Sequence, residues 1–123
     1  MQNAVYVRIY ADDQGESHFE DMQATLTPGN FAPPAPPLNI AALAETRAAA
    51  LVGGEPSWQG DIPHPTPRRQ LMCILSGSFA TTASDGETRI FRPGDLLLLE
   101  DVDGKGHVTR LLEETVVLAV ELQ

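Results

Sequence analysis

The stretch HPTPRRQLMCILSG, His64 to Gly77, decides how this chain is read. It starts in a proline-punctuated linker, SWQGDIPHPTPRR, and runs into a short apolar segment that ends at a glycine. A brief apolar run bounded by turn residues has the form of a strand inside a β-protein. On a strand, residues i and i+2 point to one face. His64 and Thr66 therefore aim the same way, and so do Gln70, Met72 and Ile74, with Leu71, Cys73 and Leu75 on the opposite face.

The flanking sequence extends the pattern. VYVRIY near the N-terminus alternates, with Tyr6, Arg8 and Tyr10 on one side and Val5, Val7 and Ile9 on the other. That period of two predicts a strand, and SHFEDMQATL after the ADDQGE turn predicts a second. TPGNFAPPAPPLN holds five prolines, which exclude a helix or a central strand and predict an extended surface arm with Phe31 and Leu38 as apolar pegs. Arg47–Val52 reads as a strand, and Ala41–Glu45 as a helical turn on its alanine content. SFATTAS and ETRIF, joined by Asp85-Gly86, form a hairpin signal. LLLLE, HVTRLLE and TVVLAVEL complete the series. Strands separated by turns every 8–12 residues predict a sandwich or barrel of the jelly-roll kind.

A chain of 123 residues is read as one domain, with N-terminal strands and the proline-rich arm over 1–45 and a core over 46–123. The formal net charge of -9 comes with no Lys/Arg stripe, which argues against nucleic acid and against an anionic membrane surface. The lone cysteine, Cys73, makes neither an intrachain disulfide nor a thiolate cluster and is read as a small buried hydrophobe. The N-terminal segment lacks the basic start and apolar core of a signal peptide, and no apolar run approaches membrane-span length. The expected compartment is the cytoplasm.

The segment from Pro63 to Arg110 resembles a cupin. The family's first motif is similar to G-x5-H-x-H-x3,4-E-x6-G. Gly77 closes it here, Gln70 stands where the family usually has Glu, His64 is at the first histidine and Thr66 at the second. The second motif is similar to G-x5-P-x-G-x2-H-x3-N. Gly86, Arg92 and Pro93-Gly94 follow its first part, His107 comes 13 residues after Gly94, and the asparagine is missing. The pieces GESHFED, FAPPAPPL, PRRQ, LSG, PGDLLLLED and GKGH extend the resemblance, across nearly the whole chain, to small stand-alone bacterial cupins to which no activity is assigned. The resemblance implies an all-β fold, a single cupin jelly-roll β-barrel with a proline-rich surface arm. It also implies a cavity that holds a small-molecule ligand, and a homodimer formed through an outer sheet face or an exchanged N-terminal strand.

In such a cupin three histidines and a carboxylate hold a divalent metal. Here Thr66 and Gln70 offer only neutral oxygens in place of an imidazole and a carboxylate, which first-row metals favour. Two readings stay open. In one, the cavity is a metal-free ligand pocket lined by His64, Thr66, Arg69, Gln70, Met72, Ile74 and His107. In the other, one divalent ion (iron, zinc, manganese or nickel) is held by His64 and His107 with His18 and Glu20 from the GESHFED strand. That would make a degenerate metal site of an oxygenase, isomerase or lyase. His64 or His107 acting as a general base is the metal-free version of an enzyme. Arg68-Arg69 is a candidate carboxylate clamp at the mouth, and Trp58 is read as packing. DVDGKG fails as a calcium loop because Leu99 stands where a ligand is needed, so Asp101 is assigned to a turn. No serine-hydrolase elbow surrounds Ser76, Ser78 or Ser84.

Overall fold

A computed structural model describes residues 2–123. The strands are β1 (Gln2–Ala11), β2 (Ser17–Gly29), β3 (Leu38–Ile40), β4 (Thr46–Gly54), β5 (Gln70–Ser76), β6 (Phe79–Ala83), β7 (Thr88–Phe91), β8 (Leu96–Leu99), β9 (His107–Leu111) and β10 (Thr115–Leu122). The described residues are all-β, with no helix, and none therefore long and apolar enough to cross a membrane. They form a seven-stranded sheet in the order β3-β2-β1-β8-β5-β10-β4 and a three-stranded sheet in the order β7-β6-β9.

The alternation in β1 has a direct consequence. Ile9 is fully buried and pairs with Phe19 of β2 on one side and Leu99 of β8 on the other. Met72 of β5 lies between Leu97 and Ala119 on the same inner face. Phe79, Ala83 and Phe91 of the small sheet pack onto that face with Ile9, Ile74, Leu97 and Val117. The core is thus the space between two facing sheets, which is compatible with a jelly-roll-like arrangement. Because β1 is bonded to β8, the N-terminal strands β1–β3 share the large sheet with β4, β5, β8 and β10.

Three expectations are met differently. The interior is enclosed by two separate sheets rather than by one hydrogen-bonded cylinder: β3, β4, β7 and β9 end their sheets. The strand expected over Arg47–Val52 is present as β4, but residues 41–45 are not helical. Five residues cannot recover the cost of nucleating a helix, whatever their propensity. The proline-rich segment begins inside β2: Pro28 pairs with Asn39 of the edge strand β3, where a missing N–H is tolerated. Phe31 and Leu38 are exposed and do not act as pegs.

Candidate functional site

The linker before β5 lies across the start of β9. His64 N donates to His107 O at 3.1 Å, and His107 N donates to His64 O at 3.0 Å. This single antiparallel bridge brings together two histidines 43 positions apart (107 minus 64). Their ring centroids are 5.1 Å apart at 52°. Gly106 makes the crossing possible. Its φ is +73°, and a Cβ there would sit 2.1 Å from the carbonyl carbon of His64.

Around this bridge is a cavity of about 160 Å³ lined by His64, Thr66, Gln70, Met72, His107 and Thr109 among others. His107 and Thr109 share a face of β9, with Thr81 opposite Thr109, and the two hydroxyls are 3.1 Å apart. The Gln70 amide donates to Thr66 Oγ1 at 3.0 Å, and Thr66 in turn donates to the Arg68 carbonyl at 2.8 Å. Thr66 and Gln70 therefore hydrogen-bond each other.

His107 is fastened from behind. Its Nδ1 lies 2.5 Å from Asp101 Oδ2. A carboxylate oxygen accepts, so Nδ1 carries the hydrogen and Nε2 is the nitrogen left for the cavity. Asp101 is fully buried, and its Oδ1 has no hydrogen-bond partner. The Asp101 carbonyl accepts from Thr66 N at 3.1 Å, which ties the same turn to the linker. His64 is more open, and its Nδ1 donates to the Ile62 carbonyl at 2.8 Å. Both imidazoles thus leave Nε2 without a protein partner among the described residues.

The other candidate residues lie elsewhere. His18 and Glu20 are on the face of β2 opposite the buried Ser17 and Phe19. His18 Nε2 is 2.7 Å from Asp12 and its Nδ1 is 3.0 Å from Asp85. The bond to Asp12, and then that to Asp85, hold this imidazole above its ordinary value. Glu20 is engaged by Arg8 at 3.0 Å. Neither residue is a wall of the cavity, so the geometry does not assemble them with His64 and His107.

Arg69 donates to Glu100 at 2.7 Å, and Arg8 binds the other oxygen of that carboxylate at 2.6 Å. Burial pushes the Glu100 carboxyl up, but the bonds from Arg69 and Arg8 outweigh it and hold it below the usual range. Arg68 pairs loosely with Glu121 at 3.4 Å. Ile74 faces inward, as the alternation predicts, but is absorbed into the core. Cys73 is half-buried on the outer face rather than fully buried.

The donor chemistry of the cavity is two imidazoles and neutral oxygens already bonded to each other. No group of three or more His, Cys, Asp or Glu suited to a metal occurs among the described residues. That set does not fit a closed divalent-metal site. Sequence reasoning missed Asp101, Thr81 and Thr109. Thr109 carried a usable signal, since it is two positions from His107 on a strand. Asp101 carried none, because its approach depends on the glycine turn between it and His107. No protein-family model matches the chain, and no curated protein matches it significantly.

Proposed function

We propose that this protein is a cupin-type small-molecule binder whose ligand sits between the two sheets against His64, His107, Thr66 and Gln70. The observation that carries the reading is the Asp101–His107 pair. A buried carboxylate orients one imidazole so that its second nitrogen is left toward a cavity with other hydrogen-bonding groups. Convergent polar groups in an otherwise apolar hollow are the usual make-up of a ligand site. The meeting of His64 with His107 is what the resemblance to cupins implies, and it supports that assignment.

The same pair favours a second reading, an enzyme that moves a proton. His107 Nε2 would take a proton from a bound substrate, with Asp101 holding the tautomer and stabilising the imidazolium. The metal-dependent oxygenase, isomerase or lyase reading gains less support, because the cavity lacks a carboxylate and a third imidazole.

We also assign the outer face of the large sheet to contact with a second copy. Leu51, Leu96, Leu98, Leu118 and Val120 share that face through the strand registers, with no charge between them and Arg8 beside Leu98 at its border, in a chain of net charge -9. Leu51 is 72% exposed. A charge-free centre is what lets two copies of an acidic protein meet.

The binding reading is tested with n-propanol, acetone and acetamide as short neutral probes, followed by amide NMR shifts. Saturable shifts at Gln70, Trp58 and Thr109 that vanish in His107→Phe are expected. Probes that leave all three resonances unmoved would contradict it.

A further inference from the structure

Beside the histidine cavity lies a second hollow of about 210 Å³. The two share Trp58, Met72 and Phe79 as walls. Their linings differ in kind. The first is rich in hydrogen-bonding side chains. The second is closed by Val52, Leu111 and Val117 and contains no charged residue. Its hydroxyl, Thr115 Oγ1, is committed to the carbonyls of Ser78 at 3.1 Å and Glu113 at 2.9 Å.

Two glycines keep this apolar hollow in shape. A Cβ at Gly54 would come within 2.7 Å of Leu111 Cδ1, and one at Gly60 would overlap the Trp58 ring at 1.8 Å. Trp58 and Val52 are nonetheless 49% and 50% exposed, so the hollow opens to solvent rather than being a sealed packing defect. Size adds a further argument. Neither hollow alone reaches the about 300 Å³ at which ligand pockets usually begin, whereas the two together do.

We propose that the two hollows are one chamber with two ends, and that its ligand is an amphipathic small molecule. A neutral hydroxyl- or carbonyl-bearing head sits at His64, His107 and Gln70. A hydrocarbon tail passes the Trp58 ring and lies against Val52, Leu111 and Val117. A neutral head suits this end because the cavity wall offers hydroxyls, an amide and imidazoles but no Asp, Glu, Lys or Arg side chain to offset a buried charge. The proposal rests on the ligand-binding reading for its head end only.

The test is a homologous series, n-butanol to n-octanol, titrated into the full chain and followed by fluorescence of Trp58, the single tryptophan. Wild type should tighten about fourfold per added methylene, the equivalent of ~0.8 kcal/mol each. Val52→Phe should flatten the series. Val52→Leu, a smaller plug, should flatten only its long-chain end and keeps the test alive if the phenylalanine variant does not fold. His107→Gln should weaken every member by the same factor.

A flat series in wild type overturns the tail end, while n-butanol binding that still responds to His107→Gln leaves the head-site reading standing. No binding by any member overturns both. A slope unchanged in a folded Val52 variant whose self-association changes in light scattering overturns the proposal and makes the hollow an interface between copies.

Discussion

Asp101 and His107 form an enclosed carboxylate–imidazole pair, 0% and 5% exposed, with Oδ2 and Nδ1 2.5 Å apart. Each is the other's only side-chain partner among the described residues. Removing one partner strands the other in a low-dielectric interior. His107→Phe should therefore cost about 3–5 kcal/mol of stability. The double variant Asp101→Leu/His107→Phe should recover part of that loss, because the stranded carboxylate goes with the ring. Urea unfolding of both single variants, the double variant and wild type measures the coupling. Additive losses would mean that the pair is not an energetic unit.

Gly106 is the crossing point of the linker over β9. Alanine there faces both a positive φ and the backbone of His64, so Gly106→Ala should destabilise by about 2 kcal/mol or more. It should also part the two histidines. Nuclear Overhauser contacts between the His64 and His107 rings, present in wild type, should be lost in the variant. Their survival would show that the bridge does not depend on this glycine.

The site was only partly legible in the sequence. Alternation located the strands, but His64 and Thr66 lie in the linker before β5 rather than on a strand, so they meet Gln70 at one cavity because the linker crosses β9, not through i, i+2 geometry. Alternation cannot say which of a strand's two faces is inward. In β2 the pairing of Phe19 with Ile9 decides it, since two large apolar residues take the core, and His18 and Glu20 are turned outward as a result. Asp101 was hidden for another reason. Its side chain reaches His107 across a turn in which Gly104 and Gly106 both have positive φ, a geometry with no period to detect. The adjoining apolar hollow is formed by β4, β5, β6, β9 and β10 together with Trp58, and depends on registers that only the folded sheets specify.

The outward His18 gives a pH dependence. It joins the β1–β2 turn, through Asp12, to the β6–β7 turn, through Asp85. Its folded value is raised, so its contribution is fully present below the unfolded value and is lost as pH rises through the folded one. The carboxyls of Asp12 and Asp85 are lowered, so their contributions are lost as pH falls through their folded values. Melting temperature against pH should therefore fall for wild type on the alkaline side of the ordinary histidine range, more steeply than for His18→Gln. Parallel curves for the two proteins would remove the latch from the account.

The outer face of the large sheet predicts association. Leu51→Glu places a charge on the exposed edge strand that borders the apolar face, where the monomer has nothing to lose. Sedimentation should show wild type as a dimer and the variant as a monomer of unchanged melting behaviour. A wild-type monomer at concentrations up to about 1 mM would rule the assignment out.

The central claim is that a ligand meets His107 through Nε2 while Asp101 holds Nδ1. Ring-nitrogen NMR of histidine-labelled protein, titrated with n-butanol, reads both atoms separately. The account predicts a saturable shift of His107 Nε2, a smaller one of His64 Nε2, and an Nδ1 signal of His107 that stays in place. Saturable binding that leaves both Nε2 signals unmoved would contradict it, because the ligand would then sit somewhere other than the histidine cavity.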